Sequence, residues 1–454
     1  MENLRKRLKE LSVLTLPLLV EHAFITLMGL INTAMVASLG EEALAAAGHV
    51  NNAIQIPIAL FATMTTGGTI LVAQAVGARN ERKAASSAGQ AVALAVVFSI
   101  FLSATFALTQ SPVIAWLFGD SEASVVAAGN VMYYYQNWSL PTLAIAQTLF
   151  GVMRGAGDVK NPMKITLYMN GINIVLSYVM IVGVTTPFFV IPSLGMHGAG
   201  LALALSRAAG MVLAIIVILS AKSPIRLNKL SWYKPTKIIQ KDILTLGVPT
   251  GVEQLLFQIG RMITMMMIVG MGTAAMAANV VGMNMMGFIM IPGNALTISI
   301  MVMVGQRVGR KDYDDISKIT MFASWVSVAF MTVLSIILFP MGGLIARAFS
   351  LDAEAAYYFR QLYTSLIIFG PFIWPLAFVI PASLRAVKDV TFTTVISVIT
   401  MWTFRIVVGY VLSLRFGIMG VWIGIYGDWA SRSIIFWLRL YRKKWMNRLI
   451  KLEE

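Results

Sequence analysis

Apolar runs of about twenty residues, separated by short polar stretches, recur along the whole chain. Twelve can be distinguished, at approximately 11–37, 49–76, 88–109, 125–150, 163–184, 196–220, 242–269, 278–305, 319–341, 357–383, 390–412 and 418–438. Wound as a helix at 1.5 Å per residue, each is long enough to cross a hydrocarbon core roughly 30 Å thick. Most contain Gly or Pro, which membrane helices tolerate because neighbouring helices and water re-satisfy the backbone. The predicted fold class is therefore all-α integral membrane, with twelve transmembrane helices.

The pattern is written twice. A shift of 232 residues lays Pro17, Glu21, Gly40, Gln74 and Gly77 on Pro249, Glu253, Gly272, Gln306 and Gly309. Leu14/Leu246, Val20/Val252, Met35/Met267, Ala45/Ala277, Val72/Val304 and Val76/Val308 match at the same shift. Further on, Arg154-Gly-Ala-Gly-Asp158 answers Arg385-Ala-Val-Lys-Asp389, Tyr178 answers Tyr410, and Gly195-x-x-Gly198 answers Gly417-x-x-Gly420. The last pair suits close helix packing. Six spans return the chain to its starting side, so the repeat is parallel, about an axis along the membrane normal. The expected domains are a first six-helix lobe at 1–220, a basic linker at 221–241 and a second six-helix lobe with a basic tail at 242–454. In transporters built this way the substrate site lies between the halves.

Composition agrees with a lipid environment. Of 454 residues 58% are hydrophobic and only 12% charged, about half the usual charged fraction of a soluble protein. The net charge of +15 first suggests nucleic acid, but its placement excludes that. With the amino terminus taken as cytoplasmic, 29 of the 35 Lys and Arg fall on inward segments and only Arg347 and Arg415 on outward loops. Arg207, Arg261, Arg360 and Arg405 lie within or at the edge of spans. Such a bias places both termini in the cytoplasm. The linker, with Lys222, Arg226, Lys229, Lys234, Lys237, Lys241, Trp232 and Tyr233, suits the headgroup layer, and the tail Arg439–Lys451 reads as an anchor on anionic lipid. No cysteine is present, which removes disulfide and zinc-thiolate chemistry. The first span has no small-residue cleavage site, so it is expected to persist. Three His, no Cys and neither His-Glu-x-x-His nor Gly-x-Ser-x-Gly leave no hydrolytic constellation, so an enzyme is not expected.

Charges inside spans are costly and point to function. Glu21 and Glu253 are the acidic pair repeated inside the membrane. Glu21 falls ten residues into its predicted span, about 15 Å deep and near the midplane. A parallel repeat would set the pair facing each other across the lobe seam, as proton carriers or receivers of a lipophilic cation. A carboxylate hydrogen-bonded to a neighbouring helix is the structural alternative. Asn32 lies eleven residues from Glu21, 20° from the same helical face. His22 points about 100° away and reads as a packed histidine. Asp428 and Arg432, four apart, are expected to pair with each other. Arg261 has no obvious local partner and either snorkels outward or pairs across the lobe. Met265–Met267 and their neighbours on spans seven and eight suit either a core or an adaptable binding surface.

The segments Asn32-Thr-Ala-Met-Val-Ala-Ser-Leu-Gly40, Val72-Ala-Gln74-Ala-Val-Gly77-Ala78, Arg154-Gly-Ala-Gly157-Asp158 with Pro162-Met163, and Gly247-x-Pro249 resemble the multidrug and toxic-compound extrusion (MATE) family. The likeness covers nearly the whole chain. It implies two six-helix lobes around a central cleft, and export of organic, often cationic, compounds in exchange for protons or sodium. It implies no cofactor and no bound metal, a small organic substrate, contact with membrane lipid, no nucleic acid, and function as a monomer. Protons are the favoured coupling ion, with sodium possible. The sequence departs from the family at its usual acids, carrying Asn32, Ser177 (one turn past Asn173), Gln258 and Trp374 instead. The candidate substrate- or cation-binding residues are thus Glu253, Glu21, Asn32, Asn173, Ser177, Gln258 and Arg261. A flippase for a lipid or lipid-linked sugar, using the same architecture, is the rival reading.

Overall fold

A computed structural model describes residues 2–119, 121–185, 190–221, 223–446 and 449. The first half comprises α1 (Glu2–Ala37), α2 (Glu41–Gly77), α3 (Glu81–Leu108), α4 (Gln110–Phe118), α5 (Ala123–Trp138), α6 (Leu140–Gly155), α7 (Lys160–Val182) and α8 (Gly195–Leu219). The second comprises α9 (Lys237–Val269), α10 (Thr273–Ile289), α11 (Ile291–Gly309), α12 (Asp314–Leu338), α13 (Gly342–Ala348), α14 (Ala353–Ala386), α15 (Val390–Thr400), α16 (Gly409–Phe416) and α17 (Ile418–Tyr441). A π-helical segment, Met401–Val408, joins α15 to α16. The α7–α8 loop, longer than its copy in the second half, holds a minimal antiparallel ladder, β1 (Val184–Thr185) with β2 (Val190–Ile191).

These elements account for all twelve predicted spans. Among the described residues nine helices are long and apolar enough to cross a membrane, and a tenth span arises when α10 and α11, bent by 46°, are taken together. The remaining two are the α5–α6 pair and α17. The α5–α6 pair is interrupted at Ser139, where Pro141 opens the new helix, a place that needs no backbone N–H. The second, α17, is less apolar because Asp428 and Arg432 lie on it. Lys222 and the basic tail beyond Met446, apart from Leu449, fall outside the described residues.

The repeat extends to the backbone. Left-handed residues recur in pairs: Gly40 with Gly272, Arg79 with Lys311, Gly119 with Ser350, Gly157 with Lys388 and Gly195 with Gly417. The turn after Arg154 closes with Asp158 N–H on the Met153 carbonyl, and its copy with Asp389 N–H on the Leu384 carbonyl, both at 2.9 Å. Close packing is duplicated as well. A Cβ on Gly198 would lie 2.4 Å from the Met180 carbonyl oxygen, and one on Gly420 2.4 Å from that of Leu412. The Gly-x-x-Gly motifs are thus helix contacts.

Packing groups the chain into two compact units whose limits fall inside α1 and α9 rather than at the linker. One holds the chain up to Leu19, Gly77–Arg79 and the chain from Val252 on; the other holds Val20–Val76 and Asn80–Gly251. They are called the second-half and first-half units. Charge fixes the opening turns of α1 in the second-half unit: Arg7 pairs with Asp315, and Glu10 with Arg307 at 3.0 Å. Close backbone approach fixes those of α9 in the first-half unit, where a Cβ on Gly247 would lie 2.0 Å from the Thr63 carbonyl oxygen. The second-half core is aromatic, built on Trp422, Trp374, Phe359, Tyr363 and Trp429. The first-half cores are smaller, around Phe150, Met153 and Leu149 and around Phe61, Tyr133 and Phe118.

Ser350 (φ 50°) and Lys388 (φ 65°) hold a positive φ at the positions of Gly119 and Gly157 without being glycine. A left-handed non-glycine residue costs roughly 1–2 kcal/mol. Ser350→Gly and Lys388→Gly are each expected to stabilise the protein by about 1 kcal/mol, read as a rise in thermal unfolding temperature in detergent. An unchanged or lower temperature for both contradicts the strain argument.

Candidate functional site

Glu21 is 2% exposed on α1, in the apolar stretch after Pro17. Its Oε1 accepts from Arg154 Nη2 at 2.6 Å and from Thr166 Oγ1 at 3.0 Å. The second copy repeats the construction. Glu253 on α9 accepts at Oε1 from Arg385 Nη2 at 2.7 Å and at Oε2 from Thr394 Oγ1 at 3.2 Å. Both arginines occupy the last turn of a helix, α6 and α14, where exposed carbonyl ends favour a cation. Each glutamate is therefore neutralised inside its own unit, a pairing the sequence does not announce. The matching Arg-x-x-x-Asp loops and the matching glutamates were both visible; what was missing was that they meet.

Glu21 lies midway along α1 (Glu2–Ala37). Thr166 lies six residues into α7, about 9 Å along a helix of roughly 34 Å, so Glu21 stands near the α6–α7 loop.

A row of oxygens extends from this pair. Glu21 bonds Thr166, and fifteen residues further along each helix Val36 and Ile181 share one apolar cluster. The equal offset fits α1 and α7 running parallel, and on that register Asn32 stands level with Ser177 and one turn past Asn173. Asn173 and Ser177 are buried. The Oδ1 atoms of Asn32 and Asn173, and Oε2 of Glu21, are buried without a hydrogen-bond partner. Buried acceptors of this kind are uncommon and mark a place for a proton, an ion or water. His22 Nε2 is buried and unpartnered as well.

The second-half unit is built differently. Asp428 pairs with Arg432 at 2.7 and 2.9 Å, as expected, and also with Arg405 from the π-helical segment at 3.1 Å. The Arg432 guanidinium lies over the Phe257 ring at 4.5 Å. Arg261 donates to Gln258 at 2.5 Å and is exposed. Trp374, at a family acid position, stacks on Phe378 at 4.5 Å and fills its place with core. The methionines divide: Met285, Met286 and Met290 are core, whereas Met266 is 72% exposed. In the first-half unit Arg207 donates to Ser139 Oγ at 2.7 Å, at the break between α5 and α6.

Twelve spans in two copies, with polar groups held at matching positions inside them, define a multi-pass membrane transporter of the internally repeated kind. The chain belongs to the MatE family, whose profile matches residues 17–179 and again 249–411, offset by the same 232 residues as the internal repeat. It is 27% identical to a probable multidrug resistance protein NorM of Thermotoga maritima, over 98% of this chain and 95% of that one. It is 25% identical to the probable multidrug resistance protein YoeA of Bacillus subtilis, over 98% and 96%. Its fold is that of solved MATE transporters. An outward-facing multidrug resistance MATE transporter superposes with a TM-score of 0.85 at 21% identity over 98% and 96% of the two chains. The Vibrio cholerae transporter VcmN in its bent form gives 0.85 at 19% over 98% and 99%.

Breaking a buried ion pair from one side costs about 3–5 kcal/mol, because the other charge is left unpaired. Arg154→Gln and Arg385→Gln are expected to lower stability by that order, and Glu21→Gln/Arg154→Gln together by less than the sum of the two single changes. Thermal unfolding of all variants in detergent measures the coupling; additive losses would show that the pair does not bear on folding.

Proposed function

We propose that the chain is a secondary active exporter of organic, amphipathic compounds across the cytoplasmic membrane, acting as a monomer by alternating access with both termini in the cytoplasm. Inward movement of a cation drives it, with the proton favoured over sodium. The multidrug-resistance names of the relatives and the bias of Lys and Arg toward one set of loops support this reading.

The observation that carries the coupling part is the row of unbonded oxygens in the first-half unit: Glu21 Oε2, Asn32 Oδ1 and Asn173 Oδ1. The two glutamates are unequal. Glu253 uses both oxygens and holds α9 to α14 and α15, whereas Glu21 keeps one oxygen free. A proton arriving at Oε2 removes the charge that holds Arg154, so uptake loosens α1 from α6 and gives the ion a means of moving helices. Ser177, level with Asn32, completes a polar lining. The same oxygens would coordinate sodium, which also prefers oxygen ligands. The preference for cationic compounds that the resemblance implies gains no support from the acids within the spans, since Glu21, Glu253 and Asp428 each hold an arginine.

Proteoliposomes loaded with a fluorescent substrate test the scheme under an imposed pH or sodium gradient. Glu21→Gln is expected to reduce pH-driven export by about tenfold or more, in line with loss of a group that handles the proton. Glu253→Gln should lower the folded yield yet leave the pH response of the surviving protein in place. Full pH-driven export by Glu21→Gln would remove Glu21 from coupling, and dependence on sodium alone would replace the proton. Because the chain has no cysteine, orientation is readable by single-site labelling. Lys229→Cys should react only from the cytoplasmic side and Arg347→Cys only from outside.

A further inference from the structure

The two units leave different chemistry unsatisfied. In the first-half unit four buried acceptor oxygens are left over, Glu21 Oε2 and the Oδ1 atoms of Asn32, Asn137 and Asn173, beside Arg154 Nε, His22 Nε2 and the Ser87 hydroxyl. In the second-half unit, three hydroxyls aside, every leftover atom among the described residues is an N–H donor: Arg385 Nε, Arg405 Nε, Trp429 Nε1 and Trp445 Nε1. Donors without acceptors call for an anion.

Charge points the same way. Inside or close to its spans the second-half unit holds Arg261, Arg360, Arg385, Arg405 and Arg432 against the carboxylates Glu253 and Asp428, with Arg360 exposed near the start of α14. Glu253 is taken by Arg385, and Asp428 is shared between Arg405 and Arg432. Among the described residues Arg261 has only the neutral Gln258 oxygen, and it stands one helical turn past Phe257, whose ring faces the Arg432 that shares Asp428 with Arg405. Arg261 and one of the two arginines on Asp428 are thus uncompensated within the spans, where a lone guanidinium is costly and marks a ligand or transport path. Arg405 stands on a π-helical stretch, whose wider turn is found most often at functional sites. Beside the arginines is an aromatic wall. Phe257 and Phe378 face Arg432 at 4.5 and 5.8 Å, and Phe378 meets Trp374 and Trp429 at 4.5 and 6.3 Å.

We propose that the second-half unit binds an anionic amphiphile, its phosphate, sulfonate or carboxylate head held by Arg405 and Arg261 and its apolar body received by Phe257 and its aromatic neighbours. Arginine suits this task because its planar fork binds such heads through paired hydrogen bonds. Asp428 and Arg432 position Arg405 rather than touch the ligand. The assignment deepens the export reading by naming its substrate class. The same chemistry serves a free organic anion or a lipid headgroup.

Equilibrium binding separates this claim from transport. The protein in phosphatidylcholine nanodiscs is titrated with bromododecyl phosphate or bromododecyltrimethylammonium, and quenching of tryptophan emission reports occupancy. The phosphate probe should saturate, and Arg261→Gln or Arg405→Gln should weaken it by about tenfold or more, the usual scale for removing one partner of a charge pair. Arg405→Lys, which keeps the charge and guards against misfolding, should bind more tightly than Arg405→Gln. Competition by phosphatidylglycerol assigns the site to a lipid headgroup, and its absence to a free anion; either outcome supports the anion site. Equal or tighter binding of the ammonium probe, or phosphate binding indifferent to both arginines, overturns it. Loss of export with arginine-dependent binding intact would instead count against the exporter reading.

Discussion

A carboxylate inside an apolar helix bundle has few options: it must be protonated, meet water or meet a cation. In each half of this chain it meets an arginine, and much of the local architecture follows from that meeting. The arginine sits at the end of a helix, and the turn after it is closed by a backbone bond from an aspartate, at 2.9 Å in both halves. A threonine from the next helix reaches the same carboxylate. One charge pair therefore holds three helices in each copy: α1, α6 and α7 in the first, α9, α14 and α15 in the second. Exposure at the pairs is small, 2% for both glutamates against 13% and 16% for the arginine side chains, so solvent offers little to replace a lost partner.

Duplication supplied the same frame twice, and the halves then filled it differently. Around Glu21 the neighbouring groups are amides and hydroxyls, with oxygens to spare. A guanidinium nitrogen is left over beside each glutamate, on Arg154 and Arg385, and the second-half unit adds Arg405 and indole nitrogens elsewhere. Asp158 bonds the neighbouring Asn161, whereas its copy Asp389 accepts from Arg439 on α17. Aromatic rings concentrate in the second-half unit, and one covers the face of the Arg432 guanidinium, an arrangement that lowers the cost of keeping that charge in the interior. A transporter needs a group that responds to the driving ion and a surface that recognises cargo. Two diverged copies of one frame offer a physical way to keep these apart.

The membrane class, the twelve spans and the parallel repeat were legible in the sequence because each rests on a one-dimensional property. Span length follows from bilayer thickness. The repeat follows from residues that preserve a helix break or a turn, such as Pro17 and Pro249 or Gly40 and Gly272. The pairing of Asp428 with Arg432 was legible too, since four residues is one helical turn. Asn32 and Glu21 were correctly placed near one helical face for the same reason.

Contacts between distant segments were decided only by the tertiary structure. Glu21 and Arg154 are 133 positions apart and Glu253 and Arg385 132, and no local periodicity links them. The level of Glu21 near the α6–α7 loop came from its bonds to Arg154 and Thr166, which hydropathy does not report. The grouping of the first turns of α1 with the second-half unit came from Arg307 and Asp315, charges that look like ordinary loop residues until Glu10 and Arg7 reach them. Local spacing determines what a helix presents; which helix it is presented to is set by packing of the whole chain.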